Sequence, residues 1–133
     1  MATLFYTVYQ DKNKTRSEHL FYGRIVHTQT IGTDELADRI QRNCSMKKSD
    51  VVAVLTELVE VMTDELQNSN KVKLDGFGTF KINCSSYGVT MKEDYNADMI
   101  KSYHVRFLPE GTKSNGVLTR TFLDGVKAQK AQG

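Results

Sequence analysis

Three histidines are the residues of this sequence best suited to acid–base or metal chemistry. His19, His27 and His104 each lie in a strand-like stretch, and none has a second histidine or a carboxylate at metal-ligand spacing. The sequence contains neither an H-E-x-x-H nor a G-x-S-x-G motif. These histidines are therefore better explained as surface or hydrogen-bonded core residues than as catalytic groups or metal ligands.

Paired carboxylates and a glycine pair are two further candidates for chemistry. Asp34-Glu35 and Asp64-Glu65 fall on the polar sides of predicted helices, where solubility explains them. Gly76-Phe77-Gly78 begins like a dinucleotide-binding loop, but the third glycine is missing and a strand follows instead of a helix. The sequence therefore predicts a protein that is not an enzyme and that uses neither a metal nor an organic cofactor.

Charged residues divide the chain into an acidic middle and basic flanks. The formal net charge is +2 overall; it is +2 over residues 1–32, −4 over residues 33–70, and +2 over each of 71–106 and 107–133. This distribution permits a basic face for an anionic partner without requiring one.

The composition is that of an ordinary soluble domain. With 39% hydrophobic and 26% charged residues, the 133 residues suit one domain. No apolar run approaches the length of a membrane span, and the first residues lack the features of a secretion signal. Cys44 and Cys84 have no C-x-x-C spacing, which favours reduced thiols in a cytoplasmic protein over a disulfide.

Alternating aromatic and branched residues predict a β-hairpin at the N-terminus. Residues 4–9 and 19–27 have strand periodicity, and the polar residues 10–17 between them suit a solvated loop. Both faces of this hairpin are apolar, so core packing is the preferred explanation for its rings, although such rings also suit base stacking. Three roles fit the hairpin: covering a sheet edge, extending a binding surface or recruiting a partner.

Two helices are predicted in the acidic middle. Thr33 is a suitable N-cap for a short amphipathic helix that ends near Asn43. A longer helix, from about Lys48 to Asn68, has one apolar stripe and a second apolar patch on its nearly opposite side. A small domain covers only one such stripe, so the pattern favours burial against a second copy of the chain.

A second hairpin and a further strand are predicted after the helices. Residues 71–74 and 79–82 flank a glycine turn, and residues 101–107 alternate again before the single proline, Pro109. The polar stretch between residues 83 and 96 predicts a loop or an arm. Towards the C-terminus, the pattern predicts a loop over 111–116, a helix over 117–126 and a frayed tail after Lys127.

The second hairpin carries the most specific signal in the sequence. It reads Val72-Lys73-Leu74-Asp75-Gly76-Phe77-Gly78-Thr79-Phe80 and resembles the V-x-L-x-G-F-G-x-F hairpin of the HU/IHF family of bacterial histone-like DNA-binding proteins. The resemblance extends upstream to Lys47-Lys48-Ser49-Asp50 and the long helix, and downstream to Val105-Arg106-Phe107-Leu108-Pro109. Residues 1–32 precede the usual start of the family and resemble the N-terminal extension of a divergent Bacteroidetes-type branch.

The resemblance implies an α+β fold in which two chains intertwine. Each chain would supply a two-helix body, a β-hairpin saddle with an arm, and a C-terminal helix. Residues 1–32 would form an N-terminal β extension, and residues 33–133 an HU-like DNA-binding domain. Members bind the minor groove and often insert an apolar wedge that kinks the duplex. Gly76 and Gly78 would allow the tight turn, and Phe77 and Phe80 would anchor the hairpin in the dimer core.

Several positions depart from the family's pattern. The family's arm tip carries Arg-Asn-Pro, whereas residues 85–102 contain neither proline nor arginine and include three acidic residues. Asn83 and Ser85 stand where members usually place arginines, and the first helix begins with Asp34 and Glu35. These differences argue against strong DNA bending and leave scattered lysines to contact phosphates.

The sequence therefore predicts a cytoplasmic, nucleoid-associated homodimer that binds double-stranded DNA largely without sequence preference. No membrane and no small-molecule substrate are expected as partners. The alternative is that the same dimeric fold serves as a protein-interaction or scaffolding module with little DNA affinity, which the acidic arm favours. The predicted DNA contacts, each equally well explained on its own as solvated charge, are Lys73, Lys81, Lys92, Lys101, Arg106 and Lys113.

Overall fold

The computed structural model describes residues 3–13, 15 and 17–132, which form an α+β chain. Outside the described residues lie Met1, Ala2, Lys14, Arg16 and Gly133. The predictions of a polar loop and of a frayed tail are therefore compared only at the residues that remain. In chain order the elements are β1 (Leu4–Gln10), β2 (Phe21–Val26), α1 (Thr33–Asn43), α2 (Lys48–Gln67), β3 (Val72–Leu74), β4 (Gly78–Ser86), two 3₁₀ turns (Lys92–Asp94 and Ala97–Met99), β5 (Ile100–Pro109), β6 (Gly111–Ser114), β7 (Val117–Arg120) and β8 (Ala128–Lys130).

Both predicted helices are confirmed. α1 ends at Asn43 as expected, but its N-cap is Gly32 and not Thr33, because Gly32 is the extended residue whose carbonyl accepts the Leu36 N–H at 3.1 Å. α2 ends within one residue of the prediction. No helix in the described part of the chain combines the length and the apolar character needed to cross a membrane.

The two helices are joined by polar contacts at the start of α2. The Gln41 side-chain oxygen accepts the Lys48 backbone N–H at 2.9 Å, which satisfies one of the free donors at a helix N-terminus. The Lys48 ammonium also lies 3.3 Å from the Asp38 carboxylate of α1. Side chains of α1 therefore fix where α2 begins, without a capping side chain at Lys47.

β3, β4 and β5 form an antiparallel sheet, named here the hairpin sheet. The glycine-turn hairpin and the strand before Pro109 are confirmed. For residues 83–96 the sequence left a loop or an arm open, and the structure favours the arm at its start, since Asn83 to Ser86 continue β4 and pair with β5. Their polar side chains gave no strand signal, but the ladder with β5 supplies the backbone hydrogen bonds that hold them extended.

β2, β1 and β8 form a second sheet, named here the terminal sheet because it joins both ends of the chain. β1 pairs antiparallel with β2 from Phe5↔Val26 to Gln10↔Phe21. β8 pairs parallel to β1, from Leu4↔Ala128 to Tyr6↔Lys130. The tail after Lys127 is therefore not frayed: Leu4 N–H donates to the Lys127 carbonyl at 2.8 Å, which starts this pairing.

The predicted C-terminal helix is wrong. Residues 111–120 instead form a two-stranded hairpin, β6 and β7, and a turn follows up to residue 125. Asn115 and Gly116 connect the strands with φ of 52° and 80°. Asn-Gly is the favoured pair for a two-residue hairpin turn that needs positive φ at both positions, so the local turn chemistry prevails over the apolar spacing further along.

One chain alone covers little of its apolar surface. Among the described residues, Ala37 (0% exposed) and Val51 (5%) are the buried hydrophobic side chains. The accessible surface is 11532 Å², whereas a compact monomer of this mass exposes roughly 7,100 Å². A single copy therefore leaves much apolar surface in contact with water.

Candidate nucleic-acid interface

The hairpin sheet has one apolar and one polar face. Directly paired residues share a face, so Phe80↔Phe107, Ile82↔Val105 and Cys84↔Tyr103 lie on the apolar side. The opposite face carries the alternate pairs Thr79↔Leu108, Lys81↔Arg106, Asn83↔His104 and Ser85↔Ser102, together with Lys73 of β3 opposite Thr79.

Four cations meet on the polar face and are named here the basic surface: Lys71, Lys73, Lys81 and Arg106. Together with Thr79, Phe107 and Leu108 they line a depression of about 470 Å³. Lys81 and Arg106 are directly opposite each other across β4 and β5, so their charges are held side by side by the sheet register. All four cations are exposed, which leaves them able to reach an anion in solution.

Glu110 is the acidic residue that contacts this surface. Its carboxylate lies 3.8 Å from the Lys73 ammonium and also accepts the Gly76 backbone N–H. The carboxylate is therefore shared between a cation of the basic surface and the turn between β3 and β4. Lys73 is partly neutralised in consequence, whereas no ion pair is recorded in the described residues for Lys71, Lys81 or Arg106.

The turn before β4 is tightly packed. A Cβ on Gly78 would stand 2.4 Å from the Leu108 carbonyl oxygen, and Gly78 has a φ of +149°. Both facts require glycine there. The neighbouring rings pack closely, with centroids of Phe77 5.8 Å from Phe80, 5.8 Å from Phe107 and 5.6 Å from Phe122. Within one chain these rings form a four-ring cluster against the hairpin, and the anchoring of Phe77 and Phe80 in a dimer core stays a prediction.

The arm beyond the basic surface is a folded tip with acidic character. The β4–β5 ladder is irregular between Ser85 and Ser86, and two 3₁₀ turns close residues 87–99. The Ser86 hydroxyl contacts the Tyr95 hydroxyl, and the Asn96 side chain accepts the Asp98 N–H at 2.9 Å. The tip has one lysine against three carboxylates, and its exposed apolar side chains are Tyr87, Val89, Met91 and Tyr95.

Three of the six predicted contacts are not part of the basic surface. Lys92 lies in the first 3₁₀ turn of the arm tip, and Lys113 lies on β6 opposite Leu118. Lys101 has the strand parity of Tyr103 and Phe107, and its ammonium lies 4.9 Å from the centroid of the Tyr87 ring. The structure therefore brings together Lys73, Lys81 and Arg106 and leaves the other three apart.

Comparison with known proteins identifies the architecture that carries this surface. The family model HU-HIG, described as an HU domain fused to a wHTH, Ig or glycine-rich motif, matches residues 1–122. This chain belongs to the HU-HIG family. The recognition of an HU-type protein from the glycine hairpin is therefore confirmed, and the family model begins at residue 1, so it also includes the strands before α1.

Two curated relatives of this HU-HIG chain are named DNA-binding protein HU. The protein from Thermus thermophilus is 35% identical over 54 residues, which are 41% of this chain and 56% of the relative. The protein from Thermotoga maritima is 38% identical over 48 residues, 36% of this chain and 53% of the relative. The match thus spans just over half the length of each relative.

A solved structure supports the fold of the HU-HIG chain. It is a crystal structure of a candidate bacterial DNA-binding protein from Bacteroides vulgatus, with a TM-score of 0.58 and 15% identity. The alignment covers 96% of this chain and 47% of that one. At this identity the likeness shows a shared fold and extends over both sheets of the HU-HIG chain.

Sequence reasoning missed Lys71 and the pairing partner of Lys73. Lys71 and Lys73 are two residues apart, which is the spacing that puts both on one side of an extended segment. The shared face of Lys71 and Lys73 is therefore predictable from sequence. The ion pair between Lys73 and Glu110 is not predictable from sequence, since it joins residues on either side of the β4–β5 arm.

Among the histidines and cysteines considered as candidates for chemistry, His104 lies on the same face as the basic surface and the others lie elsewhere. His104 lies opposite Asn83 on the same polar face, while His19 Nδ1 lies 2.8 Å from the Asp11 carbonyl in the first loop. Cys44 and Cys84 are free and exposed. Within the described ranges, no three His, Cys, Asp or Glu side chains are grouped to hold a metal ion.

Proposed function

We propose that this protein is a non-enzymatic, homodimeric DNA-binding protein that contacts the phosphates of double-stranded DNA largely without sequence preference. In this role it contributes to nucleoid architecture in the cytoplasm and needs no cofactor. The observation that carries the proposal is the basic surface, where Lys71, Lys73, Lys81 and Arg106 share one exposed polar face. The curated HU relatives support the same class of ligand.

Phosphate contact by this surface follows from its chemistry. Lysine ammonium groups bind phosphates as point charges, and the Arg106 guanidinium offers two parallel donors. Each neutralised phosphate releases condensed counterions, so affinity falls as salt rises. Two copies that together contact about 4–6 phosphates give a slope of log affinity against log salt near −4 to −5.

The second copy in the proposal accounts for the uncovered apolar surface. The excess over a compact monomer is about 4,400 Å² per copy, or about 8,800 Å² for two copies, which is more than enough for the interface of an obligate dimer. Val59 is 64% exposed on α2, and Tyr103 and Val105 are 68% and 62% exposed on the apolar face of the hairpin sheet. Helix and sheet surfaces of this kind support a dimer in which each copy covers the other's apolar faces.

The arm tip supports DNA binding without a sharp kink. Minor-groove wedges need an apolar side chain that enters a field of phosphates, and nearby carboxylates oppose that entry. Glu93, Asp94 and Asp98 give the tip a negative balance against Lys92 alone. We therefore assign duplex binding to the basic surface and no wedge function to the arm.

The same tip favours a second candidate function, in which the fold serves as a protein-interaction module. Tyr87 and Met91 are 54% and 58% exposed beside the carboxylates of the 3₁₀ turns. An exposed apolar patch with an acidic rim suits a protein partner better than it suits a nucleic acid. In this alternative the DNA affinity of the basic surface is weak or absent.

A duplex titration decides between the two functions. The full chain is titrated against a fluorescent random-sequence duplex of ~30 base pairs at ~50 and ~200 mM salt. DNA binding predicts saturable, micromolar or tighter affinity that falls steeply between the two salt concentrations. Absence of binding at the lower salt contradicts the first function and favours the second.

Charge reversal then tests which residues are involved. The pair Lys81→Glu/Arg106→Glu is expected to reduce duplex affinity by at least a hundredfold, because up to eight units of charge change in a dimer. The matched control Arg39→Glu/Arg42→Glu on α1 makes the same change in net charge outside the basic surface and is expected to cost far less. Equal losses in the two variants would mean that net charge, and not this surface, determines binding.

A further inference from the structure

The terminal sheet carries an aromatic and cationic face that the basic surface does not use. The β1–β2 register puts Tyr9 opposite Tyr22 and Thr7 opposite Arg24 on the same side of the sheet. The Arg24 Cζ lies 4.3 Å from the centroid of the Tyr9 ring, and the Tyr9 and Tyr22 centroids are 6.1 Å apart. Tyr9 and Tyr22 are each 39% exposed. These three side chains are named here the tyrosine platform.

The two faces of the terminal sheet differ in chemistry. The side opposite the platform carries Leu4, Val8 and Ile25, which are 40%, 49% and 40% exposed, together with the rings of Tyr6 and Phe21; it has no cation beside these rings in β1 or β2 and suits packing against other apolar groups. The platform side combines flat rings with a guanidinium, which are the groups that stack on bases. The sheet thus has a side suited to burial and a side suited to a planar ligand.

The charge of the terminal sheet is positive. In the three strands as the structure describes them, the charged residues are Arg24, on the platform side, and Lys130, which pairs with Tyr6 and so lies on the opposite side; Lys127 immediately precedes β8. The nearest carboxylate in sequence, that of Asp11, accepts the Asn13 N–H at 3.0 Å in the loop after β1. Arg24 therefore gives the platform side a positive charge beside its rings, which suits a ligand that has both planar groups and negative charge, such as a nucleic-acid strand.

We propose that the tyrosine platform binds single-stranded DNA by stacking unpaired bases on Tyr9 and Tyr22, with Arg24 contributing a stacked cation. In a duplex the bases are stacked on one another and hide their faces, so a sheet surface cannot reach them. The ring separation of 6.1 Å is nearly twice the ~3.4 Å rise per base of a stacked strand. Consecutive bases therefore take one ring each only on a stretched, unpaired strand.

This platform goes beyond the proposed duplex function because it uses a different sheet and different residues. Its test is a titration of the full chain with a fluorescent thymidine oligonucleotide of about 15 nucleotides at ~50 mM salt, beside the same ~30 base-pair duplex. The test variant is Tyr9→Leu/Tyr22→Leu, which keeps apolar bulk and removes the rings. The matched control is Tyr9→Phe/Tyr22→Phe, which keeps the rings and removes the hydroxyls.

We expect the leucine pair to lower single-strand affinity at least about tenfold, and the phenylalanine pair to change it less than about threefold. Duplex affinity is expected to stay within about twofold in both variants. Wild-type single-strand affinity in the leucine pair overturns the proposal. So does loss of single-strand binding in Lys81→Glu/Arg106→Glu, because the oligonucleotide then occupies the basic surface.

A measurement on the unmutated chain keeps the test independent of variant folding. Photo-crosslinking to an oligonucleotide that carries 5-iododeoxyuridine, followed by peptide mass mapping, is expected to modify Tyr9 or Tyr22. Crosslinks confined to residues 71–106 overturn the proposal. Because the duplex titration is run in parallel, a failure of the platform is distinguishable from a failure of the duplex function.

Discussion

The hairpin sheet and the terminal sheet both have three strands, but they present positive charge in different surroundings. On the hairpin sheet, Lys81 and Arg106 stand side by side on a polar face, and aromatic rings lie mostly on the other side. On the terminal sheet, Arg24 is stacked on Tyr9. Cations on a polar face suit phosphates, whereas a cation among exposed rings suits bases. The neighbours of a charge, more than its sign, therefore indicate which part of a nucleic acid it binds.

The two sheets also differ in how tightly the backbone is packed, which gives the largest predicted effect. Gly78→Ala places a Cβ 2.4 Å from the Leu108 carbonyl oxygen at a φ of +149°. We expect the free energy of unfolding to fall by on the order of 3 kcal/mol or more, because backbone atoms on both sides must move. Urea unfolding at fixed protein concentration measures this change.

Gly23→Ala is the matched control on the terminal sheet. Its added Cβ would meet only the Thr7 carbonyl oxygen and the Tyr6 ring, both at 3.9 Å, which is ordinary van der Waals contact. We expect a change within about 1 kcal/mol, since alanine also limits the unfolded chain. Similar losses in both variants would show that the close approach at Gly78 does not constrain the hairpin sheet.

The elements that were predictable from sequence are those with strong local patterns. α2 was predicted within one residue, because apolar residues recur at helical spacing along its 20 residues. The glycine hairpin was predictable because two strands flank a turn that needs positive φ. β8 was not, since its parallel pairing joins Ala128 to Leu4 across nearly the whole sequence. No local pattern encodes such a contact.

The wrong C-terminal helix has a different cause. The signal for the correct structure was present, because Asn115-Gly116 is the favoured dipeptide of a two-residue hairpin turn. The spacing of Val117, Phe122 and Val126 and the expected order of elements in the HU fold outweighed it. Where a family expectation and a specific turn dipeptide disagree, the turn dipeptide is the better guide to the local backbone.

The candidate site was predictable in part. Lys81 and Arg106 are each predictable as strand cations from local alternation, but their side-by-side position depends on the β4–β5 pairing across the arm. Lys101 is an odd number of residues from Arg106, so strand alternation alone assigns it to the other face. The ion pair between Lys73 and Glu110 was not predictable, because these residues are far apart in sequence and are brought together by the pairing of β4 with β5.

An effect of intermediate size is expected at Glu110, whose carboxylate lies beside Lys73 of the basic surface. The described strands of the terminal sheet contain no carboxylate, so this change should affect duplex binding alone. Glu110→Gln removes the negative charge beside Lys73 and keeps an oxygen that can accept the Gly76 N–H. We expect duplex affinity to rise about two- to fivefold, because each copy gains an uncompensated cation at the basic surface. Single-strand affinity is expected to stay unchanged.

Fluorescence anisotropy with both DNA ligands measures this change at one salt concentration. Glu93→Gln, in the arm tip, is the matched control for removing one carboxylate elsewhere on the same sheet's arm. If Glu110→Gln weakens duplex binding, the turn that Glu110 holds matters more for the DNA contact than the charge that it neutralises.

The smallest effect is expected at Lys101, which tests whether the two faces of the hairpin sheet act separately. Lys101 has the parity of the apolar face, and its ammonium lies 4.9 Å from the Tyr87 ring centroid. At ~150 mM salt a charge on the other side of the sheet is screened over about 8 Å. Lys101→Glu is therefore expected to lower duplex affinity less than about threefold, against at least about tenfold for Lys81→Glu.

Anisotropy titrations of the two single variants make the comparison at identical net charge. Equal losses would mean that DNA contacts both faces of β5, and the arm would then have to be part of the duplex interface.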